Sequence, residues 1–147
     1  MRWLLLDEIV VIEKGVRAIS RSRVPDRKIS REVLILEMMA QTGGLLLGAE
    51  INFDGDVVFG KVEKAEFTPW LKPGEELEIE ATSENLRPEG AWIDGKVSRG
   101  DATIAQARLL LTNAGKLVGQ ATESVTFHKA FMDHFGVRAK VKLNQGL

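Results

Sequence analysis

The sequence predicts an α+β domain in which an antiparallel sheet wraps around one long apolar helix. Three observations carry this. Residues 33–50, VLILEMMAQTGGLLLGAE, are apolar on nearly every helical face, so a helix there has to be enclosed by protein. On both sides of it the hydrophobic pattern alternates with a period of two, as half-buried strands do. Turn-forming words, among them Lys14-Gly15, Pro88-Glu89-Gly90 and Arg99-Gly100-Asp101, separate the strand-like runs.

The elements follow in order. WLLLDEIVVIEKG (3–15) reads as a strand with an acidic interruption, and VRAISRSRV (16–24) as its hairpin partner. PDRKIS (25–30) is a loop. Ser30 is placed to cap the helix, although Val33 stands where a capping box has an acid. A helix over 31–49 is about 28 Å long, enough to cross a small domain. Positions 37, 40, 41, 44 and 48 share one of its faces and hold Glu, Ala, Gln, Gly and Gly. Another backbone or an extended ligand can come close to such a stripe. Gly43 and Gly44 each weaken the helix by roughly 1 kcal/mol, which close packing has to offset.

After the helix, 57–67 is a strand, 68–76 a turn region with two prolines, and 76–87 a strand with Leu77, Ile79 and Ala81 inward. Residues 91–100 and 101–113 form another hairpin. Such a sheet leaves an open edge, and edges are commonly closed by dimerisation. In the tail, SVTFHKAFMDHF offers Val125, Phe127, Phe131, Met132 and Phe135 to an amphipathic helix. The last ten residues are basic and expected to be mobile.

Composition narrows the function. The 147 residues suit one domain, and a net charge of −1 gives no footprint for nucleic acid or an anionic membrane surface. The chain has no cysteine, which removes disulfides, thiolate nucleophiles and cysteine-ligated zinc, and fits a reducing compartment. The N-terminal run meets Asp7 and Glu8 too early for a secretory signal, so a cytoplasmic location is the expectation. The apolar stretch is barely long enough for a membrane span and carries Glu37 and Gln41, so no span is expected. His128 and His134 lie six apart, which does not put two metal ligands on one helical face. No metal site or cofactor is implied.

Three words carry a family resemblance. VLILEMMAQTGG (33–44), FGKVEKAEFTPWLKPGEELEIE (59–80) and WLLLDEI (3–9) resemble the central helix, the following strand–turn–strand and the opening of the 3-hydroxyacyl-acyl carrier protein dehydratases of fatty acid synthesis, the FabZ/FabA-like group. The resemblance covers about residues 3–112 and implies the hot-dog fold over 1–114, with 115–147 as a C-terminal extension. In that family the helix carboxylate is catalytic and works across a dimer interface with a histidine from a loop just before the helix. Glu37 falls on the carboxylate and Gln41 on the glutamine that accompanies it. The resemblance further implies a backbone N–H at the helix start, here that of Glu32, binding the thioester carbonyl.

The departures from the family bear on activity. The histidine loop is absent: Arg23-Val24-Pro25-Asp26 runs through Arg27-Lys28-Ile29-Ser30 straight into Arg31-Glu32, and the first histidine is His128. A basic residue that faces the carrier protein in the family is Glu66 here. Dehydration of a 3-hydroxyacyl thioester needs a base and an acid held around the reacting carbons, and the central helix supplies one member. The expectation is a protein that recognises acyl thioesters on acyl carrier protein or coenzyme A, with impaired dehydratase activity. One alternative is a thioesterase using Glu37 alone, as some hot-dog thioesterases use one helix carboxylate. Another is a non-catalytic subunit of a heteromeric dehydratase, Glu37 being held by Gln41 or by an arginine such as Arg17 or Arg23. The tail histidines are expected to face solvent; the alternative is that the tail folds back and replaces the lost histidine. Trp3, Trp70 and Trp92 read as core or interface residues. Arg21, Arg23, Arg27, Lys28 and Arg31 form a basic cluster that is either a solvated face or a receptor for coenzyme A or phosphopantetheine phosphates.

Overall fold

The fold starts with a hairpin. In the computed structural model, which describes residues 5–26, 28–68, 72–115 and 126–143, β1 (Glu8–Glu13) pairs antiparallel with β2 (Arg17–Arg23) across the Lys14-Gly15 turn. The first strand is shorter than its apolar run suggests. Leu5 and Leu6 precede it and are buried, and Leu5 gives its N–H to the Gln41 side chain instead of a neighbouring strand. Helix α1 (Arg31–Glu50) follows, then β3 (Val57–Phe67), β4 (Glu76–Thr82), β5 (Gly90–Arg99) and β6 (Ala102–Asn113). The sheet order is β3-β6-β5-β4-β2-β1, extended by a short β7 (Val141–Lys142) from the tail. Every pairing is antiparallel except β1 with β7, which is parallel. This is the hot-dog architecture.

Period-two alternation, shifted in β1 by a bulge between Ile9 and Val11, puts one face of these strands on α1. Ile9 and Ile12 from β1, Ile79 and Ala81 from β4, Ile93 and Val97 from β5, and Leu109 and Leu111 from β6 are all buried. Against them lie Leu34, Met38, Met39, Leu45, Leu46 and Leu47 of α1. Two glycines let helix and sheet approach. A Cβ on Gly43 would lie 2.8 Å from Ile93 Cγ2, and one on Gly95 would lie 2.7 Å from Met39 Sδ. Helix α1 is long and apolar enough to cross a membrane, yet 72% of its most apolar window is buried inside this protein, so it serves as the core helix. One buried polar contact ties it to the sheet: the Thr42 hydroxyl donates to Met38 O at 2.8 Å and receives the Ser20 hydroxyl at 2.6 Å.

Two expectations need correction. Ser30 occupies the N-cap position but makes no side-chain cap; its hydroxyl donates to Glu32 Oε2 at 2.6 Å. The C-terminal stretch is ordered further than its composition suggests. Helix α2 (Lys129–Phe135) ends on Gly136, whose φ of 56° is the left-handed cap glycine accommodates. Helix α3 (Val137–Lys140) buries Val137, and β7 joins β1. Residues 144–147 lie outside the described residues, as do Trp3, Trp70, Arg27 and Val125.

Candidate functional site

The small-residue face of α1 opens onto a cavity of about 570 Å³. Its floor is Glu37, Ala40, Gln41, Gly44 and Leu45 of α1, and Val57 and Phe59 of β3 form one wall with Leu111. The opposite wall is the tail, through Phe127, His128, Phe131, His134 and Phe135. A helix face without bulky side chains cannot fill the space beside it, so a second apolar element at a short distance encloses a volume. Gly44 lines that volume: a Cβ there would meet only Val57 Cγ1, at 3.9 Å. Gly48, one turn further, seats the tail. A Cβ on it would lie 2.5 Å from Phe127 Cζ.

The tail is held at several points. Phe127 packs edge-on against Phe53, with ring centroids 5.2 Å apart. Phe53 follows α1 at a φ of 58°, an uncommon conformation for an aromatic residue, and its N–H returns to Gly48 O at 2.7 Å. The fully buried Asp56 accepts the Thr126 N–H at 2.8 Å, and Thr126 Oγ1 accepts the Val57 N–H at 3.0 Å. Arg138 donates to Asn52 Oδ1 at 3.0 Å and lies over the Phe53 ring. Phe127, Phe131 and Phe135 form a continuous aromatic row on the cavity side.

Glu37 is the half-buried acid of this cavity. Burial raises its carboxyl above the ordinary glutamate range, and a hydrogen bond from Gln41 opposes part of the rise. The geometry of Gln41 explains that bond. Its Oε1 accepts the Leu5 N–H at 3.0 Å, which turns the amide nitrogen toward Glu37, and Nε2 donates to Glu37 Oε1 at 3.2 Å. The arginines that the sequence offered as partners are engaged elsewhere: Arg17 with Glu13 and Glu80, Arg23 with Glu76. Arg21 meets Glu8 and Glu78, so this part of the basic cluster faces acids on its own sheet. Trp92 lies half-buried beneath the Arg108 guanidinium, away from the cavity lining.

Of the predicted site residues, Glu37 and Gln41 come together on the cavity floor and Glu32 stands apart. Glu32 is exposed at the start of α1, its carboxylate lowered in pKa chiefly by the Ser30 hydroxyl, and it is not among the residues lining the cavity. The expectation of solvent-facing tail histidines is corrected in part. His134 is exposed at the cavity wall, but His128 is half-buried, and its Nδ1 accepts the Phe131 N–H at 3.3 Å. Sequence reasoning offered the tail's return to the site only as an alternative and did not foresee it as an aromatic wall. The signal was present in the spacing of Phe127, Phe131 and Phe135, four apart, which matches the bare stripe on α1. Among the described residues, no cluster of three or more His, Asp or Glu side chains is arranged to hold a metal ion.

Comparison with known proteins places this chain in a family. No family model matches the chain. The 3-hydroxyacyl-[acyl-carrier-protein] dehydratase FabZ of Magnetococcus marinus is 34% identical over 129 residues, covering 72% of this chain and 82% of the relative. The chain belongs to the FabZ family. Solved structures with the same fold include the dehydratase heterocomplex ApeI:P from Xenorhabdus doucetiae, at a TM-score of 0.65 and 17% identity over 77% of this chain and 84% of that one. A hypothetical thioesterase protein from Streptococcus pneumoniae, solved with coenzyme A, superposes with a TM-score of 0.58 at 13% identity, over 74% of this chain and 85% of that one. At those identities the likeness is one of fold. This chain has no histidine before His128, and its tail walls the space over Glu37.

Proposed function

We propose that the chain recognises acyl thioesters, carried on acyl carrier protein or coenzyme A, with the acyl group in the cavity between α1 and the tail and Glu37 as the reacting carboxylate. One observation carries this reading: among the described residues, the one acid on the cavity lining is half-buried, raised in pKa by that burial, and set among apolar and aromatic side chains with the volume of a small-ligand site. A carboxyl poised above its ordinary range exchanges protons with carbon acids and hydroxyls more readily near neutral pH. Gln41 is a positioning residue, because it fixes which Glu37 oxygen is hydrogen-bonded. The reaction class favoured by family membership is dehydration of a 3-hydroxyacyl thioester, slower than in relatives that keep the loop histidine.

Hydrolysis of the thioester is the second reading. The lone carboxylate favours it, since hydrolysis needs one base to activate water. A partner subunit is part of the proposal. Strand β3 ends the sheet, runs for 11 residues and leaves Phe59 41% exposed, so its outer edge suits a second copy or a related chain, as in a heteromeric dehydratase.

The test is turnover of 3-hydroxyacyl and saturated acyl thioesters, following enoyl formation and thiol release together, with Glu37→Gln beside the wild type. Enoyl product lost in the variant supports dehydration, and thiol release lost in the variant supports hydrolysis. Silence in both channels together with no binding of either thioester would overturn the reading.

A further inference from the structure

The cavity has a carboxyl and an amide at one end and a packed aromatic ring at the other. Along α1 its floor runs from Glu37 to Gly44 and Leu45 and stops short of Gly48, the next small residue on that face. Phe127 fills the space over Gly48: a Cβ there would lie 2.5 Å from Cζ and 3.0 Å from Cε1 of the ring. The same ring lines the cavity, so it forms the end wall. It has little room to give way. Phe127 is buried and packs edge-on against Phe53, whose N–H is held by Gly48 O and whose other neighbour is Arg138. The Asp56–Thr126–Val57 hydrogen bonds tie down the backbone just before it. Polar residues beside the ring turn atoms to backbone partners, Thr126 Oγ1 to the Val57 N–H and His128 Nδ1 to the Phe131 N–H. This end suits the terminus of a hydrocarbon, and the Glu37–Gln41 end suits the polar thioester.

We propose that Phe127 is the stop that sets acyl length, and that the cavity selects straight acyl chains of medium length. The inference rests on the acyl-thioester reading above and adds the substrate class to it. Glu37 and Gly44 are seven residues apart, about 10 Å along the helix axis. An extended chain of single bonds advances about 1.2 Å per bond. Roughly eight bonds therefore fit between the α carbon beside Glu37 and the ring. With the carbonyl and α carbons counted, the acyl group that fills the cavity has about ten carbons. Each methylene buried on the way strengthens binding about fourfold. A longer chain has to displace a ring that is already packed on its far side, or else fold back on itself, and neither adds burial. A stop that cannot yield gives a break in affinity at one length.

Two substitutions move the stop in opposite directions. Leucine is two bonds shallower than phenylalanine, so Phe127→Leu should lengthen the cavity by about two carbons. Tryptophan cannot go deeper, because Gly48 and Phe53 already back the ring, so the extra ring of Phe127→Trp has to enter the cavity and shorten it. The experiment measures binding of straight saturated acyl thioesters, from butyryl to palmitoyl, each on coenzyme A and on acyl carrier protein, to the full-length wild type and both variants. Wild-type affinity should rise about fourfold per methylene up to about ten carbons and then level or fall. The break should move up in Phe127→Leu, with about tenfold tighter binding of the dodecanoyl thioester than in the wild type, and down in Phe127→Trp. A break that stays put in both variants would overturn the inference, as would wild-type affinity that keeps rising through palmitoyl. An equal loss at every chain length in both variants would overturn it too, since Phe127 would then support the wall without ending the cavity. A wild type that binds none of these thioesters sinks the functional reading itself, whereas binding whose length limit ignores Phe127 sinks this inference alone.

Discussion

Two adjacent glycines in α1 should respond in opposite ways to the same substitution. Gly44 faces the cavity, where an added methyl meets only Val57 Cγ1 at 3.9 Å. Alanine there restores helix propensity and should stabilise the fold by about 0.5–1 kcal/mol, raising Tm by about 2–4 °C. Gly43 faces the sheet, where the methyl would sit 2.8 Å from Ile93 Cγ2 and 3.1 Å from Leu111 Cδ1, both fully packed side chains. Overpacking of that kind costs about 1–3 kcal/mol, more than the propensity gain returns, so Gly43→Ala should lower Tm. Gly48→Ala is worse placed still, with contacts of 2.5 Å to Phe127 and 2.9 Å to Phe53, and should also loosen the tail. Thermal unfolding of the three variants at one protein concentration gives the order. Thioester binding is measured in parallel, including Gly44→Leu, whose side chain would occupy the cavity and should weaken acyl binding by tenfold or more while the fold remains intact. If Gly44→Ala lost as much stability as Gly43→Ala, the face over Gly44 would be packed against protein, and the cavity argument would be wrong.

Other outcomes follow from single contacts. Glu37→Gln should abolish turnover yet stabilise the fold at neutral pH. The folded-state pKa of Glu37 is raised, so the stabilisation from its protonated form is complete below the unfolded value and is lost as pH rises through the folded one; wild type and variant should therefore converge in acid and separate toward neutrality, as read by denaturant midpoints against pH. Thr42→Val leaves the fully buried Ser20 hydroxyl without its acceptor and should cost about 1–3 kcal/mol, while the Ser20→Ala/Thr42→Val double variant should recover much of that loss in chemical unfolding. Asp56→Ala removes the buried acceptor of the Thr126 N–H; a loss of about 1–3 kcal/mol is expected, with limited proteolysis reaching the tail before the rest of the domain.

Much of the fold was legible because its signals are local. The run over residues 57–67 reads as a strand and is followed by turn residues, and β3 spans the same positions. The long apolar stretch could only be a core helix, and α1 is one. Leu77, Ile79 and Ala81 point inward as alternation requires. The misjudged parts depend on contacts between distant segments. Ser30 looked like a cap because residue type and position suit one, and local sequence does not reveal that its oxygen accepts no helix N–H. The basic C-terminus looked mobile because composition does not show Val141 pairing with Ile12 or Arg138 reaching Asn52. The site divides the same way. Glu37 and Gln41 are four apart on one helix, so spacing alone brings them together. His128 lies about ninety residues from Glu37, and what unites them is the fit of Phe127 onto Gly48.

The acid inside a helix built for burial can be understood from that division. A carboxylate on the sheet-facing side of α1, among Met38, Met39 and Leu46, would be fully desolvated and without a partner, at a cost of several kcal/mol. On the small-residue face it meets a cavity, and one amide holds it. The Gln41 bond is a compromise between two demands. A full positive charge at that position would pull the Glu37 pKa down, while an apolar residue would leave the carboxyl without a donor. A neutral amide, its carbonyl fixed by the Leu5 N–H, orients Glu37 while leaving burial the larger influence on its pKa. The glycines complete the arrangement, since Gly44 leaves the cavity open and Gly48 lets the tail close over it.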